Sequence, residues 1–171
     1  MRRSLTPLIT VCSLACCVQV SSAAGSSAAA AAPNASRADI QAAYDQFNTA
    51  FDSHDLDRFM SYFSPDFTGT DPAGKPVSRT ETSKQFRERR NQILTMRCRY
   101  AMQNFTPTTD GVLVEMKMHS DGTGQKRVMF MKVRATFTND TLVRDLWVNT
   151  ANGWRLKRRQ TLRDDTHING V

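Results

Sequence analysis

The chain has 171 residues, 40% hydrophobic, 8% aromatic and 23% charged, with 23 Lys and Arg against 16 Asp and Glu for a net charge of +7. That length suits one domain, and near-average apolar and charged fractions exclude wholesale disorder, a collagen-like repeat and a coiled coil. The pooled charge hides where the cations sit, so it is resolved by segment below.

Met1-Arg2-Arg3 is a short cationic start, Leu5 to Val20 is a mostly apolar run without a charge, and Ser22-x-Ala24 offers the small residues a signal peptidase needs. This layout predicts a signal peptide over residues 1–24 and an exported protein, periplasmic or secreted. The run is short for a bilayer-spanning helix of ~20 apolar residues, so no stable span is expected after cleavage. The alternatives are a retained anchor or a lipoprotein anchor on Cys16 or Cys17. Ser13-Leu14-Ala15-Cys16 departs from the Leu-small-small-Cys order that lipidation requires. Residues 25–35 are Ala/Ser-rich and read as a spacer. The folded domain is expected over 36–165, with 166–171 a tail. Cys12, Cys16 and Cys17 fall in the leader, which leaves Cys98 alone in the mature chain and no internal disulfide. Cys98 stands in an alternating run and reads as a half-buried structural thiol.

Ser36-Arg37-Ala38-Asp39 resembles a capping box and opens a first helix, in which Ile40, Ala43, Tyr44, Phe47 and Phe51 recur at helical spacing. Ser53-His54-Asp55 breaks it. Leu56, Phe59, Met60 and Phe63 form a second helix ended by Ser64-Pro65, and Asp66 to Gly74 reads as a short strand and hairpin. Ser78-x-x-Glu81 caps a third helix through about Leu94. From Thr95 onward the period is two. Met96 to Phe105, Val112 to His119, Lys126 to Thr138, Thr141 to Thr150 and Trp154 to Arg163 are predicted strands. Turns are expected at Pro107 to Gly111, Asp121-Gly122-Thr123-Gly124, Asn139-Asp140 and Asn152-Gly153. Helices followed by a meandering antiparallel sheet make an α+β fold.

The first-helix stripe, the run from His54-Asp55-Leu56-Asp57-Arg58-Phe59 to Asp66-Phe67, then Asp71-Pro72-Ala73-Gly74, then Gly153-Trp154-Arg155-Leu156 are met in that order. In this the chain resembles the nuclear transport factor 2-like superfamily, its SnoaL-like and ketosteroid-isomerase-like branches above all, over 36–165. The resemblance implies a cone-shaped α+β domain, three N-terminal helices packed on a strongly curved antiparallel sheet around a pocket, often as a homodimer. It implies no single activity, because this fold hosts isomerases, dehydratases, hydrolases, cyclases and non-catalytic modules.

By the same resemblance Asp71, first residue of an Asp-Pro-x-Gly turn, corresponds to the general base of ketosteroid-isomerase-like relatives. If the protein is an enzyme, Asp71 is the base of an isomerase-, hydrolase- or lyase-like reaction; the competing reading is that Asp71 only starts a turn. The position of the family's oxyanion tyrosine is Phe47, with Tyr44 one turn earlier, and the second donor falls near Val133 or Arg134, neither an acid. Alternation along the last strand puts Trp154, Leu156, Arg158, Gln160 and Leu162 on the concave face, and Arg155, Lys157, Arg159, Thr161 and Arg163 outside. Tyr44, Phe47, Trp154, Arg158 and Gln160 are therefore the expected ligand-binding residues. The competing reading pairs Arg158 with Asp52 or Asp145 for structure alone. His54, His119 and His167 lie in no metal-ligand spacing, and no phosphate-cradling loop precedes a helix, so neither metal nor cofactor is expected.

From Ser36 to Asp71 there are seven acids and two bases, and from Pro72 to Arg163 nineteen bases and seven acids. The helical part is acidic and the sheet part basic. Two functions remain: a pocket protein that binds or slowly transforms a small ligand of unknown identity, an anion being one option, or a non-catalytic module that dimerises or docks on an anionic cell-envelope partner. Arg155 to Arg159 lacks interleaved aromatics, so nucleic acid is not an expected partner.

Overall fold

The computed structural model describes residues 35–128 and 130–169; the expected signal peptide, its lipidation cysteines and nearly all of the spacer lie outside them. Three helices come first: α1 (Arg37–Asp52), α2 (Leu56–Ser61) and α3 (Arg79–Gln92). Six strands complete the fold: β1 (Phe63–Thr70), β2 (Pro76–Ser78), β3 (Ile93–Thr108), β4 (Gly111–Val128), β5 (Met131–Thr150) and β6 (Gly153–Asn169). They form one curved, unclosed sheet in the order β2-β1-β6-β5-β4-β3. The expected α+β fold is present, and the sheet is antiparallel at every pair except β1 with β6, which run parallel.

The helix starts follow from local chemistry. Ser36 Oγ accepts from the Asp39 N–H at 3.1 Å, and the Asp39 carboxylate accepts from the Ser36 N–H at 3.0 Å, a reciprocal pair that satisfies two orphan donors. Asp55 and Ser78 cap α2 and α3 with the one-way half of this arrangement, accepting from the Arg58 and Glu81 N–H groups. His54, at φ 58, takes the left-handed conformation that separates α1 from α2.

Several predicted boundaries move. Ser64-Pro65, expected to end α2, lies inside β1, where the ladder to β6 is interrupted between Phe63 and Thr68 and a residue without an N–H is tolerated. Two expected turns are continuous strand. β4 runs straight through Asp121 to Gly124, and β5 runs through Asn139-Asp140; the reversal between them comes after Val128 and before Met131. Gly122 serves close approach instead of a turn. A Cβ there would collide with the Thr95 carbonyl of β3 and stand 3.0 Å from the Phe137 ring. Asn139 and Asp140 spend their side chains across the ladder, on Thr166 at 2.7 Å and His119 at 3.0 Å, which removes their usual reason for bending the chain.

The core lies between α1 and the concave face of the sheet. Ile40, Tyr44, Phe47 and Ala50 from α1 meet Val112, Val114, Met116, Val143, Trp147 and Leu156. An aromatic cluster extends it toward α2 and α3: Phe59 stacks on Phe86 at 4.6 Å and stands 4.8 Å from Phe47 and 5.1 Å from Phe63.

A buried acid–arginine–tyrosine cluster as candidate functional site

Two bulges set the chemistry of the interior. Leu146 pairs with Arg158 but Trp147 with Leu156, so Lys157 is an extra residue on β6; Leu162 is a second, between the Leu142–Arg163 and Val143–Thr161 pairs. Each extra residue reverses the in–out alternation. Leu156 points inward as expected, and beyond Lys157 the inward positions become Arg159 and Thr161. The expectation that Arg158 and Gln160 face the concave side is therefore corrected: both are exposed, and Arg159 is the cation inside.

Arg159 meets Asp145, the acid directly opposite it on β5. Its Nε donates to Oδ1 at 2.8 Å and its Nη2 to Oδ2 at 2.6 Å, a bidentate fork on a wholly buried carboxylate. Tyr44, from α1, donates its hydroxyl to the same Oδ2 at 2.7 Å. Burial raises the Tyr44 hydroxyl pKa well above the ordinary value, and the Asp145 charge raises it further, so the phenol stays protonated. Burial alone lowers the pKa of Arg159; Asp145 and its hydrogen bonds outweigh that and leave it raised. The Trp147 ring packs edge-on against Tyr44 at 5.0 Å. Its indole N–H leans on the Tyr44 oxygen without reaching hydrogen-bond geometry and, with Asn48 Nδ2, is a buried donor that lacks an acceptor.

The cluster continues outward. Arg159 lies 5.5 Å over the Phe47 ring and keeps 20% of its side chain accessible. Tyr100 of β3 lies within electrostatic reach of Arg159, of Cys98 on its own strand and of Asp52 at the end of α1. Burial is the main reason the Tyr100, Cys98 and Asp52 pKa values are raised; His54 partly offsets the effect at Asp52. Asp52 lines a cleft of about 60 Å³ with Phe51, His54, Phe86, Arg89 and Arg90. Asp52 at the arginine-flanked cleft and Arg159 on the buried Asp145 are thus both within electrostatic reach of Tyr100. A wider, open depression of about 530 Å³ lies along the sheet around Gly122 and Phe137.

The sequence-predicted residues fall as follows. Tyr44 and Phe47 are buried beside Arg159, and Trp154 is half-buried at the rim of the core. Asp71 stands apart from them in a turn. Its Oδ1 accepts the N–H groups of Ala73 at 2.9 Å and Lys75 at 2.8 Å, with Gly74 at φ 81 completing the bend. Val133 and Arg134 lie near the far end of β5, remote in register from Asp145. Asp145 entered the sequence reading only as a partner for Arg158; the lone acid between Leu142-Val143 and Leu146-Trp147 was the available signal. Among the described residues, no three His, Cys, Asp or Glu side chains stand close enough to hold a metal ion.

The SnoaL-like domain family matches residues 44–145, from the tyrosine of this cluster to its aspartate. No curated protein sequence matches the chain. Among solved structures, a conserved protein from Planctomyces limnophilus superposes with a TM-score of 0.61 at 11% identity, over 72% of this chain and 91% of that chain. A candidate scytalone dehydratase from Novosphingobium aromaticivorans gives 0.58 at 13%, over 78% and 87%. A candidate dehydratase of the nuclear transport factor 2-like family from Streptomyces avermitilis gives 0.52 at 13%, over 72% and 93%. At these identities the structural likenesses speak for the fold alone. The family match spans more than half of the chain and agrees with that fold, and the chain belongs to the SnoaL-like domain family.

Proposed function

We propose that this domain binds a small, partly apolar anion that enters the cleft between α1, α3 and β3 and reaches toward Tyr100 and Arg159. The carrying observation is a buried ion pair whose arginine is oriented by Asp145 and still reaches solvent. A guanidinium has five N–H donors, and the fork to Asp145 engages two nitrogens on one side. Arg89 and Arg90 add positive charge at the mouth, while Phe51 and Phe86 supply an apolar wall. The dehydratase names carried by two of the structural neighbours belong to those proteins; for this chain, binding is the reading that accounts for these residues. An Asp71 carboxylate that accepts two backbone N–H bonds in its own turn is already explained without proton transfer. Export on the 1–24 leader and pairing as a homodimer are part of the proposal.

A thermal-shift screen of small carboxylates and phenolates against neutral isosteres tests it. Saturation at about 100 times Kd stabilises a protein by about 2.7 kcal/mol, enough to read as several degrees in Tm. Anions are expected to raise Tm and neutral analogues not. Replacing the exposed pair by Arg89→Ser with Arg90→Ser is expected to remove the shift while leaving the Tm of the free protein unchanged. If no anion raises Tm, or the double variant responds as strongly as the wild type, the proposal fails.

A further inference from the structure

The β4–β5 hairpin has the longest ladder of the three antiparallel hairpins of the sheet's long strands, and its end carries the most exposed large apolar side chains among the described residues: Phe130 is 90% accessible and Met131 70%. A two-residue hairpin turn ordinarily uses Asn, Asp or Gly, and none of these is present between Val128 and Met131. The flanking charge is of one sign. From Gln125 to Thr138 the sequence holds Lys126, Arg127, Lys132 and Arg134 and no acid, although opposite charges alternate farther down the same strands, where Arg99 meets Asp121 and Arg144 meets Glu115. Lys132 and Arg134 are exposed beside the apolar tip.

We propose that this hairpin tip docks on anionic lipid bilayers, Phe130 and Met131 entering the interface and Lys132 and Arg134 meeting the headgroups. The tip is convex, its apolar groups carry no hydrogen-bonding pattern, and its charge is uniformly positive. That combination matches a deformable, uniformly negative surface better than it matches a protein pocket, which would need a concave partner and selects polar detail. The inference is independent of the ligand proposal, since no residue of the cleft belongs to the tip.

The test places the probe at the tip of the full chain, so that any affinity of the N-terminal apolar run does not enter the readout. Phe130→Trp adds an indole at an exposed position, and its emission is obtained by difference from the wild type. Vesicles of phosphatidylcholine containing phosphatidylglycerol are expected to shift that emission to the blue and, with brominated acyl chains, to quench it. Vesicles of phosphatidylcholine alone are expected to do so far more weakly. Each cation near an anionic surface contributes about a fivefold gain in partitioning, so adding Lys132→Ser and Arg134→Ser to the reporter should weaken the response on the order of 25-fold. Unchanged emission with anionic vesicles, or an equal response to neutral ones, overturns the proposal. A blue shift that grows with protein concentration in the absence of lipid also overturns it and assigns the tip to a second copy of the chain.

Discussion

Breaking the Asp145–Arg159 pair from either side should give two unequal losses of stability that fail to add. Arg159→Gln leaves the Asp145 carboxylate at 0% exposure with only the Tyr44 hydroxyl as a strong donor, the situation in which an orphaned buried charge costs about 3–5 kcal/mol. Asp145→Asn strands a guanidinium that is 20% accessible and can turn toward water, and Asn still offers a carbonyl oxygen, so a smaller loss of about 2–3 kcal/mol is expected. The double variant carries neither charge. Its loss should fall near that of Asp145→Asn, a coupling of about 3–5 kcal/mol, the whole of the Arg159→Gln loss. Urea unfolding followed by tryptophan emission reads the change directly, because Trp147 is fully buried beside Tyr44. Far-UV dichroism of the four proteins guards against a change of fold. If the double variant loses the sum of the single losses to within about 0.5 kcal/mol, the two groups are not energetically coupled, and the account of the interior as an oriented ion pair is wrong.

Phe59→Ala removes a ring that contacts Phe47, Phe63 and Phe86, and should cost about 3–5 kcal/mol, read as a Tm lower by roughly 10–15 °C. Gly122→Ala puts a methyl group against the Thr95 carbonyl and should cost about 1–3 kcal/mol in urea; a neutral result would show that β3 moves aside freely. Asp39, Glu115 and Asp140 are held below the ordinary carboxylate range, by Ser36, by Arg144 and by His119 respectively. Groups with depressed folded pKa values contribute stability that is complete above their unfolded values, about 4, and is lost as pH falls through the folded ones. The urea midpoint should therefore decline below about pH 4, and one that stays level or rises there would contradict these assignments.

The helices were legible because their signals are local. Ser36 and Asp39 satisfy each other within one turn, Ser78 caps its own helix, and the α1 stripe needs only the 3.6-residue period to identify its buried face. The sheet was legible as strands but not as connections. Asp121-Gly122-Thr123-Gly124 and Asn139-Asp140 have turn composition, yet each of these stretches has long-range partners that the sequence cannot place: the β3 backbone and Phe137 for Gly122, Thr166 and His119 for the Asn139-Asp140 pair. The true reversal falls where the composition is apolar and basic, which is why the exposed Phe130 and Met131 drew no notice.

The site was harder to read because β6 gives its phase no fixed mark. In Arg155-Leu156-Lys157-Arg158-Arg159-Gln160-Thr161-Leu162-Arg163 both faces of a regular strand would carry cations, so one extra residue leaves the pattern equally plausible to the eye. Burial of an acid calls for a cation here without choosing between neighbouring arginines; the bulge makes that choice. Asp145 is buried opposite this strand, and a buried carboxylate requires a partner whose donors reach both oxygens. A bulge at Lys157 delivers Arg159 to that position and sends Arg158 outward; the Trp147–Leu156 register continued without it would put Arg158 opposite the acid instead. The consequence reaches function. A wall expected to be apolar with a few polar groups instead has an oriented cation at its centre, the feature on which the proposed binding of a small anion rests.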